Sequence, residues 1–278
     1  PYIAAAGELK TKPTQHSVHE LRRLGIQPDV IVCRSVSHLG NDIRDKIALF
    51  CSVPREAVVE AIDVSSIYKI PLQLYEQQFD SLVMRKLGLE PKQEPALEDW
   101  KEFVQSCENP ERVVEVAMVG KYVSHKDAYL SVVEALSHAG SANRVRVRIR
   151  HVEAEDVEKE GISLLDGVHG ILVPGGFGSR GVDGKIQAAR YAREREIPYL
   201  GLCLGMQIAV VEFARNVCGI SAAHSVEMDP KTPDPIIHLM PEQEGLKDLG
   251  GTMRLGEYPC ELDPSSLSFE AYGGERLV

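Results

Sequence analysis

Long apolar runs, paired cysteines and a basic excess are all missing from this 278-residue sequence. The longest stretch without a charge runs from Ile197 to Val211 and is interrupted by Pro198, Gly201 and Gly205. It falls short of the ~18 apolar residues that a membrane-spanning helix needs, so no membrane partner is expected. The cysteines at 33, 51, 107, 203, 218 and 260 include no Cys-x-x-Cys pair. Neither a zinc site nor a disulfide framework is indicated, no metal ligand is assigned, and a reducing, cytoplasmic location fits. Basic residues number 31 against 41 acidic ones, a net charge of −10, which argues against non-specific binding to nucleic acid. With 44% hydrophobic and 26% charged residues, what remains is an ordinary globular composition, long enough for two cores.

The charge is uneven. Residues 1–90 carry 11 basic and 11 acidic groups, and the acidic excess lies beyond them. The stretch 89–110, LEPKQEPALEDWKEFVQSCENP, holds three prolines and reads as a linker with one short helix around Trp100. The expected division is 1–90, a linker over 91–112, and 113–278. Before the linker, residues 30–33 and 60–64 read as buried strands and 17–25 and 42–51 as helices. After it, strands are expected at 113–120, 144–151, 168–176 and 197–203. Helices are expected through Ala128, Val132 and Leu136, at 184–195, and at 204–217. Strands separated by helices imply parallel sheets whose ligands sit beyond the carboxyl ends of the strands.

One such end carries Gly201-Leu202-Cys203-Leu204-Gly205, a G-x-nucleophile-x-G pattern at a strand-to-helix junction. Flanking glycines allow the tight turn that holds a nucleophile exposed, and a helix N-terminus beside a sulfur favours the thiolate. The competing reading is a buried core cysteine. Upstream, Val173-Pro174-Gly175-Gly176-Phe177-Gly178 ends another strand in glycines, whose N–H groups can face an anion or a developing oxyanion. Gly176, Gly178 and Gly181 also match G-x-G-x-x-G. That fingerprint belongs on the first strand of a dinucleotide fold, and this is the third strand of its segment. His151 and Glu153 share a strand face, but they precede Cys203 and read as a partly exposed strand terminus.

Together these residues resemble the class I glutamine amidotransferases, in which a cysteine in an elbow like LGLCLGMQ attacks the amide carbon of glutamine. The resemblance implies Cys203 as nucleophile, with Gly176, Leu204, Gly205, Met206, Gln207 and Glu227 forming the oxyanion hole and glutamine site. His224-Ser225-Val226-Glu227-Met228 stands where such proteins carry a segment like NSTEF. Their His-Pro-Glu pair is expected beyond Val278.

Lys10-Thr11-Lys12-Pro13-Thr14-Gln15-His16 precedes the first expected helix. Two lysines near a helix N-terminus suit an anion, though exposed loop lysines are commonly just solvated. GELKTKPTQHSV, CRS, KIALFC, DVSSIYKIP and GGTMRLG (250–256), in that order, resemble the CTP synthase family of glutamine-dependent amidoligases. By that resemblance Lys10, Thr11, Lys12, Pro13, Thr14, Gln15 and Lys46 contact UTP or CTP. Arg34, Ile62, Asp63 and Val64 lie near the ATP adenine. The implied fold is α/β with two parallel-sheet, three-layer domains, both truncated: the C-terminal part of a P-loop-type amidoligase domain, then a flavodoxin-like class I glutamine amidotransferase domain.

The implied activity aminates UTP to CTP with glutamine and ATP, with Mg²⁺, with GTP as allosteric activator sensed near Ser179–Gly184 and Arg180, and in a homotetramer. The phosphate loop and Mg²⁺ ligands are expected before Pro1, so the isolated chain is not expected to make CTP. Two other readings stay open: another class I amidotransferase or cysteine-elbow hydrolase, and a non-catalytic nucleotide-binding module.

Overall fold

The computed structural model describes residues 2–3, 8–90, 93–121, 126–238 and 259–274. The GGTMRLG segment lies outside them. Contacts divide the chain into two compact units, one of residues 1–111 with 141–144 and one of 112–140 with 145–278.

In the N-terminal unit a two-residue ladder pairs β1 (Tyr2–Ile3) with β2 (Glu8–Leu9). Helix α1 (Lys12–Arg23) follows, then β3 (Ile31–Ser35), α2 (Asn41–Cys51), β4 (Val58–Ile62), α3 (Ile70–Glu76), α4 (Phe79–Lys86) and α5 (Glu98–Glu108). β3 and β4 pair in parallel from Ile31↔Val58 to Ser35↔Ile62. Their apolar faces meet Val18 of α1, Ile47, Ala48 and Cys51 of α2, and Leu82 of α4. Helix α1 begins five residues before the expected start at Ser17. Pro13 is the reason: its fixed φ and missing N–H suit a first turn, so Lys12 to His16 are helical and do not form a loop. Around Trp100, α5 stands where a short linker helix was expected. The Trp100 indole N–H donates to Tyr68 O at 2.8 Å, and Tyr68 packs edge to face with Trp100 and with Phe103.

The C-terminal unit is built on β5 (Arg112–Gly120), α6 (Leu130–Ala142), β6 (Val145–Glu153), α7 (Ala154–Glu160), β7 (Gly170–Val173), α8 (Val182–Glu194), β8 (Tyr199–Gly201) and α9 (Leu204–Asn216). A small parallel pair follows, β9 (Ala223–Ser225) with β10 (Asp234–Ile237), and then α10 (Leu267–Ala271). The sheet order is β6-β5-β7-β8, all parallel. In chain order that is 2-1-3-4, the arrangement of flavodoxin-like doubly wound sheets, as the fold reading expected. β7 is buried at all four positions, as a central parallel strand must be. Leu204, Ile208 and Val211 recur at i, i+4 and i+7 on α9 and pack on Val182, Ile186 and Ala189 of α8. Each such Leu, Ile or Val side chain contributes about 1.5–3 kcal/mol by leaving water. The strand order reverses between β5 and β7, so a crevice opens at the carboxyl ends of these two strands.

Candidate functional site

Two turns stand side by side at the carboxyl ends of β7 and its neighbour β8. Gly175 to Gly178 leave β7, and Leu202 and Cys203 leave β8. Leu202 N donates to Val173 O at 2.9 Å, which ties the second turn to the end of β7. A Cβ built on Gly175 would lie 3.5 Å from the Cys203 Cβ, and one on Gly176 would lie 3.6 Å from Leu204 Cδ2, so the turns are neighbours.

Cys203 has φ +53° and ψ −105°, a region that non-glycine residues rarely occupy, and its side chain is exposed. The two flanking glycines are steric requirements. A Cβ at Gly201 would sit 2.3 Å from Gly205 C, and a Cβ at Gly205 would sit 2.0 Å from Val173 O. Strand, cysteine and helix meet this closely only without side chains at both positions. Tyr199, two residues before Gly201 on β8, donates its phenol to Gly205 O at 2.8 Å. Burial pushes the Tyr199 phenol well up, so it stays a donor across the physiological range. Sequence reading missed Tyr199; its i, i+2 relation to Gly201 on one strand face was the available signal.

Among the described residues, the N–H groups of Gly176 and Leu204 carry no hydrogen bond. Gly178 N donates to Glu227 Oε1 at 3.1 Å, and Glu227 N donates to Ser225 Oγ, so a residue from the turn after β9 closes on the glycine turn. Gln207 Oε1, on the first turn of α9, is buried with no hydrogen-bond partner. Met206 differs from these. Its side chain is 58% exposed and lies with Val210 and Phe213 on the outer apolar face of α9, away from the turns.

The segment expected to be a loop over Ser179–Gly184 is a loop only to Gly181, which caps α8 at φ +70°. Val182 and Gly184 are already buried in its first turn, and Gly184 packs so closely on Ala154 that a Cβ would lie 1.9 Å from Ala154 O. Arg180 donates to Lys121 O at 2.8 Å and pairs with Glu155 at 3.4 Å, and Lys121 Nζ donates to Phe177 O. Lys185 is buried beside them. Desolvation, then the Lys121 charge, holds its ammonium below the usual lysine range, with Glu158 opposing.

In the N-terminal unit Thr11 is buried at the N-cap position of α1, where its side chain makes no capping bond, and Gln15 Nε2 donates to Thr11 Oγ1 at 3.1 Å. Lys10 and Lys12 are exposed at this helix start, with Pro13 and Thr14 in its first turn; Lys46 is exposed on α2, the helix packed beside α1. Arg34, Ile62, Asp63 and Val64 come together with Ile67 and Ile70 around a cavity of about 380 Å³. Arg34 Nε donates to Asp63 Oδ1 at 2.8 Å, pairing two of the lining residues. Apart from the Arg34–Asp63 pair the lining is apolar, the make-up common to small-molecule sites. Among the described residues no three His, Cys, Asp or Glu side chains gather to hold a metal ion, and no helix is long and apolar enough to cross a membrane.

Residues 1–89 match the family model described as CTP synthase N-terminus, and residues 124–274 match that of glutamine amidotransferase class-I. A CTP synthase of Moorella thermoacetica is 56% identical over 279 residues, covering 100% of this chain and 51% of its own length. That of Caldanaerobacter subterraneus subsp. tengcongensis is 56% identical over 278 residues, 100% of this chain and 52% of its own. The CTP synthase of Thermococcus gammatolerans is 55% identical over 275 residues, 99% of this chain and 51% of its own. The chain thus spans about half the length of the curated relatives it matches. The solved glutaminase domain of Trypanosoma brucei CTPS with bound acivicin is similar at TM-score 0.51 and 36% identity, over 59% of this chain and 64% of that one.

Proposed function

We propose, from the premise that this chain belongs to the class I glutamine amidotransferase family, that it is part of a cytoplasmic enzyme aminating UTP to CTP with ATP and with glutamine as nitrogen donor. The observation that carries the reading is that relatives named CTP synthase match 99–100% of the chain, and so both units, at 55–56% identity. A generic cysteine hydrolase would share the elbow alone.

In this reading the Cys203 thiolate attacks the carboxamide carbon of glutamine. A carbon–sulfur bond forms and the carbonyl π pair moves to oxygen, where the Gly176 and Leu204 N–H groups receive it. The oxyanion then collapses, the carbon–nitrogen bond breaks, and the nitrogen leaves as ammonia after taking a proton. Water hydrolyses the remaining thioester to glutamate. Glu227 and Gln207 hold the amino acid end of glutamine. The domain division proposed with this activity is a synthetase part over 1–90, a linker over 91–112 and a glutaminase part from 113.

On the nucleotide side, Lys10, Lys12 and Lys46 supply positive charge for UTP or CTP, with Thr11, Pro13, Thr14 and Gln15 shaping the helix start. The cavity at Arg34, Ile62, Asp63 and Val64 takes the ATP adenine, and its apolar walls support that fit. ATP supplies the phosphoryl group that makes O4 of UTP a leaving group, and ammonia then replaces it at C4. Mg²⁺ belongs to this chemistry and receives no ligand from the residues named here. GTP as activator acts near Arg180, and a homotetramer is the proposed assembly.

The test is CTP formation by the full-length protein, followed with glutamine or with ammonium salt as nitrogen source. Cys203→Ala is expected to abolish the glutamine-dependent rate and to keep the ammonia-dependent one. Loss of neither, or absence of UTP-dependent product in the unaltered protein, overturns the reading. Arg180→Ala leaving GTP activation unchanged overturns the activator assignment alone.

A further inference from the structure

Among the described residues no strand pairs with the outer edge of β4, yet the N–H groups of Glu60 and Ile62 and the C=O of Glu60 there are bonded. In a strand the N–H groups of alternate residues point to the same side, and those of Glu60 and Ile62 point away from β3. Glu60 N donates to Gln77 Oε1 at 2.9 Å, and Gln77 Nε2 returns a bond to Glu60 O at 2.7 Å. One turn earlier on α3, Gln73 Oε1 accepts from Ile62 N at 3.0 Å, and Gln77 Nε2 also donates to Gln73 O. Two strand residues rise about 6.6 Å and four helical residues about 6 Å, so amides at i and i+4 of a helix running against the strand match alternate strand positions. Gln73 and Gln77 therefore stand in for a missing strand.

The pinned edge leads into the cavity. Ile62 is both the partner of Gln73 and a wall residue, and Asp63 and Val64 follow it directly. Ile70, the first residue of α3, is another wall. Helix α3 thus supplies one side of the cavity and fixes the strand that supplies the other.

We propose that Gln77, supported by Gln73, is a positioning residue for the adenine pocket, setting the end of β4 so that Asp63 and Val64 present a fixed surface to the nucleotide. This rests on the reading of that cavity as the ATP site. With Gln77 truncated, the Glu60 N–H and C=O lose both partners and the strand end is free to shift, so ATP recognition weakens while the cysteine site is untouched.

The experiment measures steady-state CTP formation by the full-length protein with ATP varied, then with glutamine varied. Gln77→Met keeps the length of the side chain and removes its hydrogen bonds; its KM for ATP is expected to rise about tenfold, and the KM for glutamine to stay unchanged. Gln73→Leu is expected to raise the ATP KM by a smaller factor, about threefold, and Gln73→Glu, which still accepts from Ile62 N, to restore it. This pair decides the matter if Gln77→Met does not fold. A lower rate with an unchanged ATP KM in both Gln77→Met and Gln73→Leu marks a merely structural role and overturns the inference. An unaltered protein with no saturable dependence on ATP overturns the reading of the cavity, and the inference with it.

Discussion

The two units arrange their candidate ligand groups by different means. Around Cys203 the groups are main-chain ones: N–H groups of Gly176 and Leu204, and a cysteine held at φ +53° by glycines that a single methyl would push apart. In the N-terminal unit the groups are side chains standing on helices, Lys12 and Gln15 on α1 and Lys46 on α2, beside a parallel pair whose outer edge is completed by glutamine side chains. The difference teaches where each site is vulnerable. A backbone-built site fails when packing fails, because the sheet end and the reactive turn are one object. A side-chain site can lose a ligand group and keep its fold.

Gly205→Ala tests the first half of that contrast most severely. The added Cβ meets a carbonyl at 2.0 Å, and the expected cost is about 4 kcal/mol or more. Denaturant unfolding followed by circular dichroism reads it, and a stability near that of the unaltered chain would break the comparison. Next comes the ion pair that joins α8 to α9. Arg193 grips Glu212 with two nitrogens, at 3.0 and 2.8 Å, and Glu212 is buried. Arg193→Met leaves that carboxylate without its guanidinium and is expected to cost about 3 kcal/mol, whereas Arg193→Met with Glu212→Met recovers most of it. If the double variant is as unstable as the single one, the pair is not what holds these helices.

A smaller effect belongs to Glu60. Burial raises its carboxyl pKa, but the Leu39 N–H, His38 and Arg44 together outweigh burial and leave it below the ordinary value. A carboxyl lowered in the folded state adds stability above its unfolded pKa of about 4.3, and that stability disappears as pH falls through the folded value. Acid titration of stability is therefore expected to show a loss below about pH 4.3 that Glu60→Gln removes. An identical acid profile in the variant counts against it. The smallest change in stability is expected for Lys12→Ala, within about 0.5 kcal/mol, since the residue is exposed. UTP affinity of the full-length protein, read by calorimetry, is nonetheless expected to fall about tenfold by loss of one charge-assisted contact. Unchanged affinity would remove Lys12 from the site.

Much of the C-terminal unit could be read before folding because its requirements are local. A strand–turn–helix with glycines on both sides of a cysteine has one geometry, and the apolar run of Val113 to Val119, interrupted only by Glu115, with the helical spacing of α9 gives the layers. Boundaries were less visible. Helix α1 starts at Lys12 because Pro13 favours a first turn over a loop, and α8 starts at Val182 because Gly184 is pressed onto Ala154. Met206 sits in the elbow wording, yet its side chain follows the outer face of α9 and not the crevice.

The sequence by itself determined the chemistry on offer: one cysteine between two glycines, a glycine turn ahead of it, and lysines at a helix start. Those are short-range facts, set by which φ and ψ angles and charges each residue allows. Only the tertiary structure decided that Glu227 closes on Gly178 and that Gln73 and Gln77 complete an edge 11 to 17 residues away in the chain. A hydrogen bond between distant residues depends on where two elements are brought by packing, and no local pattern of residue types encodes that distance.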